Sequence, residues 1–242
     1  MKQFISGPLR DGISNVEYID HMGNDLSVVN AARVSFDKRS EWETKPSLVD
    51  VTGFERALSQ ADAKLINYLA SHNHWTPFGH AQLSLRVKAP IFVARQLVKH
   101  QVGLVWNEVS RRYIDTPPDF YWPEELNARA ENIKQGSTGT GHPLSRAFEE
   151  QYRHKIYELA SLYSRMIAAG VAPEEARMFL PLNMYTEWVW SGSLTAWMRI
   201  INLRCDPHSQ SQTRAYGQAF AHHVEGLFPV SFAALNKPSE QP

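Results

Sequence analysis

The sequence predicts an α+β fold, and three observations carry that prediction. Apolar residues recur at helical spacing over long segments, such as 144–169 and 208–226. Strand-like segments stand alone between the helices, as at 82–88, where apolar and polar side chains alternate. The order lacks the regular succession of strands and helices that builds a doubly wound parallel sheet. The 242-residue length fits one large domain or two small ones.

The first half of the chain contains two strand patterns and three helical ones. Asn24 offers cap chemistry for the first helix, and Pro90 suits the first turn of the third. Residues 37–53 are charged and irregular, which favours an exposed segment. The predicted elements are, in order, a strand at 13–19, a helix at 26–34, a surface loop at 37–53, a helix at 55–71, a strand at 82–88 and a helix at 91–100.

The second half is mainly helical. Gly, Ser and Thr residues predict a flexible surface loop at 134–143, while Asp206-Pro207 separates the last two helical patterns. Pro173 starts a short helix that Pro181 ends. The predicted elements are a loop at 102–106, the loop at 134–143, a helix at 144–169, the short helix, a strand at 183–190, helices at 193–204 and 208–226, and a tail at 236–242.

Composition excludes several classes of protein. The 25 basic and 25 acidic residues cancel, so the chain lacks the broad positive charge of a general nucleic-acid binder. No run of 18 apolar residues could span a membrane, and the first residues lack a signal-peptide pattern. Cys205 is the single cysteine, so an internal disulfide cannot form. These features predict a soluble cytoplasmic protein with neither a membrane nor a nucleic-acid partner.

The densest polar cluster lies between Arg95 and Arg112. Helical spacing places Gln96, Lys99 and His100 on one side of a helix. Glu108, Ser110 and Arg112 alternate, so an extended backbone would point all three the same way. Such a face suits an anionic, hydrogen-bonding small molecule. A solvated surface laced with salt bridges has the same composition, and the cluster alone leaves both interpretations open.

The same cluster resembles a known family signature. The stretch Gln96…Lys99-His100-Gln101…Asn107-Glu108-Val109-Ser110-Arg111-Arg112-Tyr113 is similar to that of flavin-dependent thymidylate synthases, R-H-R followed by S-x-N-E-x-S-x-R. Further similar segments are His74-x-Thr76-Pro77-Phe78-x-His80, Ala176-Arg177, and Leu203-Arg204 with Asp206-x-His208-x-Gln210. The resemblance runs from about residue 13 to 235.

The chain departs from the family pattern mostly on the cofactor side. Lys99 and Gln101 replace the two signature arginines, and the spacer before Asn107 is one residue longer. Lysine keeps the positive charge of arginine but loses its planar, bidentate fork. Gly79 stands where a glutamate is common, and polar residues that face the cofactor are replaced by Ser193, Thr195 and Arg199.

The resemblance implies a fold, an assembly and a reaction. The expected fold is a single domain over 1–242, with a mixed or antiparallel sheet packed with long helices. The expected assembly is a homotetramer whose active sites lie between subunits. The expected reaction is reductive methylation of dUMP at C5 to give dTMP, with 5,10-methylenetetrahydrofolate as carbon donor, NADPH as reductant and FAD as cofactor.

The resemblance also implies site residues. Arg204 would activate the uracil, although a surface arginine that complements a helix C-terminus has the same local sequence. The residues implied for dUMP are Gln96, Lys99, Glu108, Ser110, Arg112, Arg177 and Arg204. Those implied for FAD are His74, Thr76, Lys99, His100, Gln101 and Glu108. His208 is either a neighbour of Arg204 or a helix N-terminal residue, and Trp75 and Trp106 either stack on a ring or pack in the core.

Other chemistries are weaker candidates. His72, His74 and His80 lack an accompanying carboxylate or cysteine, so no metal is expected there, and His74 is either structural or part of a flavin pocket. Cys205 is expected to be a buried filler rather than a nucleophile. Two alternatives remain: the same chemistry on another pyrimidine deoxynucleotide such as dCMP, or nucleic-acid binding through Arg111-Arg112 and neighbouring tryptophans.

Overall fold

The computed structural model describes residues 7–46, 54–131 and 137–236. The strands are β1 (Asn15–Met22), β2 (Glu43–Pro46), β3 (Phe54–Ala57), β4 (Gln82–Pro90), β5 (Leu104–Glu108), β6 (Asn127–Arg129), β7 (Ser137–Gly141) and β8 (Tyr185–Ser193). The helices are α1 (Asp25–Arg33), α2 (Gln60–Ser71), α3 (Thr76–Gly79), α4 (Ile91–Leu97), α5 (Ser145–Ala168), α6 (Pro173–Ala176), α7 (Leu194–Arg204), α8 (Ser211–Leu227) and α9 (Pro229–Leu235). The mixture confirms the predicted α+β class.

A four-stranded sheet in the order β1-β4-β8-β5 forms the centre of the fold. All of its strand pairs are antiparallel, with Leu85 opposite both Tyr18 and Trp190. On β4 the side chains alternate, and Leu83, Leu85 and Val87 are fully buried as the sequence pattern predicts. One face of the sheet is therefore buried in the core.

Helices α7 and α8 pack against that buried face. Trp190 of β8 meets both Trp197 of α7 and Phe220 of α8 edge to face, and the last two rings are tilted against each other, with ring centroids 5.0 to 5.9 Å apart. The indole nitrogen of Trp197 donates a hydrogen bond to the carbonyl of Leu83, so its polar atom is satisfied inside the core. This aromatic core fixes α7, whose last residue is Arg204.

The N-terminal helices are held by local polar contacts. Asn24 and Ser27 form a reciprocal capping box at the start of α1, as the cap prediction anticipates. Arg33 at the end of α1 pairs with buried Asp62 of α2 at 2.5 Å. Burial alone would raise the pKa of Asp62, but hydrogen bonds from Arg33, Ser59 and Ser40 lower it below its usual value.

Two predicted surface loops contain regular structure. Strand β2 lies within 37–53 and pairs with β3, and β7 lies within 134–143 and pairs with β6. Strands β2 and β7 are exposed, which agrees with the predicted surface position. Their backbone is extended and paired, however, and does not form the predicted irregular loop. Helix α2 begins at Gln60 rather than residue 55, because Ser59 caps it and β3 precedes it. The remaining parts of the two predicted loops, 47–53 and 134–136, and most of the predicted tail, 237–242, lie outside the described residues.

The prediction of a loop at 102–106 was wrong. Residues 104–108 form β5, the edge strand of the main sheet, and helix α4 ends at Leu97 instead of His100. The strand forms because its inward side chains alternate: Trp106 stacks on Trp188 of β8 with ring centroids 4.0 Å apart. In the part of the chain that the structure describes, no helix has the length and hydropathy to cross a membrane.

Candidate active site

Arg204 lies in a large open cleft of about 1540 Å³. The cleft is bounded by the C-terminal ends of α4 and α7, by the start of α8 and by the first turns of α5. We call it the Arg204 cleft. Its polar and aromatic lining residues include Arg95, Gln96, Lys99, Tyr121, Tyr152, Arg204, His208, Gln210 and Gln212.

The guanidinium of Arg204 is held by two acceptors at the end of α4. Its Nε donates to Nε2 of His100 at 3.0 Å, and its Nη2 donates to the carbonyl oxygen of Gln96 at 2.9 Å. Burial lowers the pKa of Arg204, yet a guanidinium remains protonated in proteins. Helix α8 approaches closely because Gly217 has no Cβ, which would lie 3.1 Å from the carbonyl carbon of Arg204.

His100 is a neutral acceptor at neutral pH. Burial, followed by the charges of Arg204 and Arg199, lowers its pKa from 6.5 to about 4. Because Nε2 accepts from Arg204, the proton of the neutral ring is assigned to Nδ1. His100 therefore orients Arg204 without adding a competing positive charge, and it presents Nδ1–H as a donor.

Gln96 and Lys99 differ in how firmly they are held. The amide of Gln96 donates to Gln210 at 2.6 Å and accepts from the Thr213 hydroxyl at 3.1 Å, which ties α4 to α8. Lys99 is exposed, and it has no hydrogen bond or ion pair with any residue in 7–46, 54–131 or 137–236. Its charge is consequently available to an anion entering the cleft.

Glu108 lies in a second cleft, of about 430 Å³, which we call the Glu108 cleft. One carboxylate oxygen accepts from the Thr186 hydroxyl at 2.6 Å, and the other accepts from the Trp106 indole at 3.1 Å. Arg177 follows short helix α6 and lines the same cleft. The charged and polar lining residues include Lys88, Glu108, Arg111, Asp119, Arg177, Thr186 and Glu187.

Ser110 and Arg112 do not continue the strand that contains Glu108. Residues 111–113 form a turn, and the Arg112 amide donates to the Ser110 hydroxyl at 3.3 Å. Arg112 also pairs with exposed Glu174 at 3.4 Å. The expectation of three side chains projecting from one extended segment was therefore wrong, because the backbone turns as soon as β5 ends.

Five of the seven residues implied for dUMP are divided between the two clefts, and the other two lie just after β5 and line neither. Gln96, Lys99 and Arg204 line the Arg204 cleft, whereas Glu108 and Arg177 line the Glu108 cleft. The two clefts have no lining residue in common. Within one chain, the structure brings these residues together as two half-sites rather than as one pocket.

Five of the six residues implied for FAD lie in two segments that contact the first turns of α7, whereas the sixth lines the Glu108 cleft. Exposed His74 and Thr76 lie at the α2–α3 turn, where the Thr195 hydroxyl donates to the carbonyl of Trp75 at 3.2 Å. On the other side, Arg199 donates to the carbonyl of Val102 at 3.3 Å. The turn and the loop containing Lys99, His100 and Gln101 are thereby connected through α7 into one surface, which we call the α7 surface.

The close packing of this loop depends on Gly103. Its φ of +80° lies in the left-handed region, and a Cβ there would lie 3.2 Å from Ala196 and 3.3 Å from the Ser193 hydroxyl. The backbone amide of Ser193 also donates to the Gly103 carbonyl at 3.2 Å. The loop that contains the signature residues is thus seated on the start of α7.

Comparison with known proteins shows which family the chain matches. The family model described as "Thymidylate synthase complementing protein" matches residues 17–230. A flavin-dependent thymidylate synthase from Ehrlichia ruminantium is 36% identical over 225 residues, covering 91% of this chain and 69% of that protein. The enzyme from Thermotoga neapolitana is 35% identical over 222 residues, covering 92% and 90%. This chain belongs to the flavin-dependent thymidylate synthase family.

Solved structures extend the comparison to the fold of this family member. A UMP/dUMP methylase, PolB from Streptomyces cacaoi bound with 5-Br UMP, superposes with a TM-score of 0.76. Its sequence identity to this chain is 26%, and the match covers 91% of this chain and 92% of that one. A second structure of the same methylase, bound with 5-Br dUMP, gives the same TM-score.

Several residues that line the two clefts of this flavin-dependent thymidylate synthase homologue could not be identified from the sequence. Tyr152 follows the apolar stripe of α5, which indicates core packing, yet it lines the Arg204 cleft, where burial raises its pKa to about 12. Gln212 donates to the Tyr121 hydroxyl at 3.4 Å across the same cleft. Thr186 gives no signal at all, because a threonine in a strand is ordinary. Only their spatial proximity identifies them.

The residues with open interpretations take defined positions. His208 lines the Arg204 cleft and pairs with Asp206 at 3.0 Å. Trp106 packs against Trp188, whereas the Trp75 side chain is 59% exposed on the α7 surface. Cys205 is half-buried, and burial raises the pKa of its thiol. Among the described residues, no group of three His, Cys, Asp or Glu side chains has the arrangement of a metal site.

Proposed function

We propose that this chain catalyses the reductive methylation of dUMP at C5 to give dTMP. The carbon donor would be 5,10-methylenetetrahydrofolate and the reductant NADPH, with FAD as cofactor. The observation that carries the proposal is the fixed guanidinium of Arg204 in a cleft that also presents Gln96 and Lys99. The family membership and the nucleotide analogues bound by the structural neighbours support it.

Arg204 is proposed to activate the pyrimidine. A guanidinium beside a carbonyl of the uracil ring stabilises the negative charge that develops there when C5 acts as a nucleophile. Preorganisation favours this role, because His100 and Gln96 already fix the direction of the guanidinium. Lys99 is a second cation that lines the Arg204 cleft, and it would interact with the nucleotide phosphate.

A sulfur nucleophile is not required by this proposal. Covalent activation of C6 would need a thiolate, but burial raises the pKa of the Cys205 thiol and so favours its protonated form. Cys205 also follows directly after Arg204, at the end of α7, and is half-buried. These properties support charge stabilisation by Arg204 as the mode of activation.

The α7 surface has the chemistry to hold a flavin nucleotide. Its donors are the Thr76 hydroxyl, the Lys99 ammonium, the Nδ1–H of His100 and the Gln101 amide, which suit phosphates and ring carbonyls. We propose that these residues and His74 bind FAD, together with Glu108 from another chain. When bound there, FAD supplies the redox chemistry that a side chain cannot provide.

The division into two half-sites supports a shared active site. We propose a homotetramer in which the Arg204 cleft of one subunit faces the Glu108 cleft of another. Ser110, Arg112 and Arg177 would then complete the dUMP pocket from the neighbouring chain. This arrangement explains why Arg204 and Glu108 line separate clefts in a single chain.

Flavin binding and product analysis test the proposed function. Purified protein should show a flavin spectrum and convert dUMP to dTMP when supplied with 5,10-methylenetetrahydrofolate and NADPH. UMP and dCMP should be offered in parallel, because the replaced signature residues Lys99 and Gln101 can alter which pyrimidine nucleotide is accepted. Protein that neither binds added FAD nor methylates any of the three nucleotides would refute the proposal.

A further inference from the structure

We propose that Thr186 and Trp106 are positioning residues that aim the carboxylate of Glu108 at a nucleotide ligand. The inference rests on the proposed function, since it assumes that Glu108 contacts a ligand in the assembled site. Thr186 belongs to central strand β8 and Trp106 to edge strand β5. Glu108 is the last residue of β5, so its side chain stands at the end of the sheet.

The geometry restrains both oxygens of the carboxylate. The Thr186 hydroxyl donates to Oε1 at 2.6 Å, and the Trp106 indole nitrogen donates to Oε2 at 3.1 Å. A glutamate side chain with one partner can still rotate about that contact, whereas two donors on different strands fix the carboxylate plane. The orientation is therefore set before any ligand arrives.

Both donors are themselves rigid. Thr186 is 8% exposed, and its backbone is paired within the sheet opposite Ala89. The Trp106 indole stacks on Trp188 with ring centroids 4.0 Å apart and meets the edge of Trp190 at 5.2 Å. Rigid donors limit the conformations of Glu108, which reduces the ordering that ligand binding must otherwise impose.

The donors leave the charge of Glu108 available. A hydroxyl and an indole N–H are neutral, and Glu108 has no ion pair within 7–46, 54–131 and 137–236. Each carboxylate oxygen also retains acceptor capacity after accepting one hydrogen bond. Glu108 is thus an aligned, unneutralised acceptor, and it fits a ligand that presents N–H or O–H donors, as a nucleotide does.

The attachment of β5 to β8 does not depend on the hydrogen bonds that Thr186 and Trp106 donate to Glu108. Residues 104–108 of β5 are each paired with β8, and the Val109 amide donates to the Glu187 carbonyl at 2.9 Å just beyond the strand. Backbone hydrogen bonds therefore hold the end of β5 without the Thr186 hydroxyl. This makes positioning of Glu108, rather than attachment of β5, the function that the hydroxyl is placed to perform.

A mutant cycle tests the proposal on the full-length, FAD-loaded protein. Thr186→Val removes the hydroxyl at nearly constant volume, and we expect about tenfold weaker dUMP binding, since a hydrogen bond to a charged group is lost. Thr186→Ser should restore the affinity to within about twofold, because it keeps the donor. In a Glu108→Ala background, Thr186→Val should cost less than about twofold, because the contact is already absent.

The readouts are dUMP dissociation constants, measured by isothermal titration calorimetry with FAD in excess because Glu108 is also a proposed flavin contact, and the melting temperature of each variant. Trp106→Phe keeps the aromatic stack, loses the indole donor and should weaken dUMP binding about threefold, which retains a test if Thr186→Val does not fold. An equal loss in both backgrounds, no rescue by serine, or no effect of either donor variant would overturn the inference. Wild-type protein that fails to bind dUMP would instead overturn the proposed function, and the inference with it.

Discussion

Arg204 is the residue on which the proposed chemistry depends, and its environment is unusual for an arginine at a helix end. Half-buried in a polar cleft, it donates to a neutral imidazole and to a backbone carbonyl rather than to a carboxylate. Its positive charge is therefore held in place without being neutralised by those partners. A charge fixed in this way can stabilise a developing anion without reorganising.

Replacing Arg204 by alanine should reduce turnover about 100- to 1000-fold, which corresponds to the loss of one oxyanion-type donor, about 2.7–4 kcal/mol. The affinity for FAD should change much less than turnover, because Arg204 is not itself one of the proposed flavin contacts. Single-turnover formation of dTMP and flavin titration measure the two quantities separately. Arg165→Ala, an exposed arginine of α5, is the control and should keep wild-type turnover. Turnover of Arg204→Ala within a few-fold of wild type would contradict the assignment.

His100 should make the folded state sensitive to acid. Its pKa is about 4 in the folded protein against about 6.5 when unfolded, so folding favours the neutral ring. The unfolded chain binds the proton first as pH falls, and the stabilisation from His100, complete above pH 6.5, is lost between about 6.5 and 4.

The dependence can be isolated by comparing denaturant unfolding of wild type and His100→Asn across that pH range. The variant should lose less stability on acidification, because it lacks the imidazole whose pKa folding lowers, while the other groups titrate alike in both proteins and cancel in the comparison. Ser161→Ala, at an exposed residue of α5 without a titratable group, should keep the wild-type slope of unfolding free energy against pH. If the free energy of unfolding fell equally steeply with falling pH in wild type and His100→Asn, His100 would not titrate as the structure indicates.

Among the elements, edge strand β5 determines where Glu108 lies. The strand is seated on β8 through a close approach at Gly192, where a Cβ would lie 2.5 Å from the Leu104 side chain and 2.7 Å from the Gly103 carbonyl. A carbonyl of the backbone cannot swing aside as a flexible side chain can. Gly192 therefore couples the packing of the sheet to the geometry of the Glu108 cleft.

Gly192→Ala should displace β5, lower the free energy of unfolding by about 1–3 kcal/mol and weaken dUMP binding. Thermal unfolding and dUMP titration measure the two effects. Gly226→Ala in α8 is the matched control, because no atom lies within 4 Å of the Cβ position. That control should be neutral or slightly stabilising, since alanine favours a helix by up to about 1 kcal/mol. If Gly192→Ala matched Gly226→Ala in both measurements, the close approach would not matter.

At the scale of the whole molecule, the proposed shared site predicts that two chains must cooperate to form one active site. The chain presents the Arg204 cleft and the Glu108 cleft as separate surfaces, each with only part of the implied dUMP contacts. A site assembled from two chains requires one intact half from each of them. Genetic complementation between two inactive variants can therefore reveal the arrangement.

Arg204→Ala and Arg177→Ala should each have very low activity alone and regain activity when co-expressed. Random mixing of equal amounts should leave about a quarter of the shared sites with both halves intact. Differently tagged chains and tandem purification isolate the mixed oligomers for assay. Activity no higher than that of the separate variants would mean that one chain supplies both arginines, and a monomer in sedimentation analysis would refute the shared site outright.

Much of the fold was predictable because it depends on local patterns. The alternation at 82–88 is β4, the stripe at 144–169 is α5, and the cap at Asn24 starts α1. Strand β5 was missed because a five-residue apolar segment has no distinctive period, and its structure comes from pairing with β8, 80 or more residues away. Such pairing overrides local preference.

The sequence by itself determined the family, the α+β class and the order of most elements, because motif spacing and periodicity are properties of neighbouring residues. Only the tertiary structure decided which side chains meet: Arg204 with His100, Glu108 with Thr186, and Arg204 apart from Glu108. The physical reason is that each contact joins residues that are far apart in the chain. Their proximity follows from how the sheet and helices pack around the aromatic core, which no local pattern encodes.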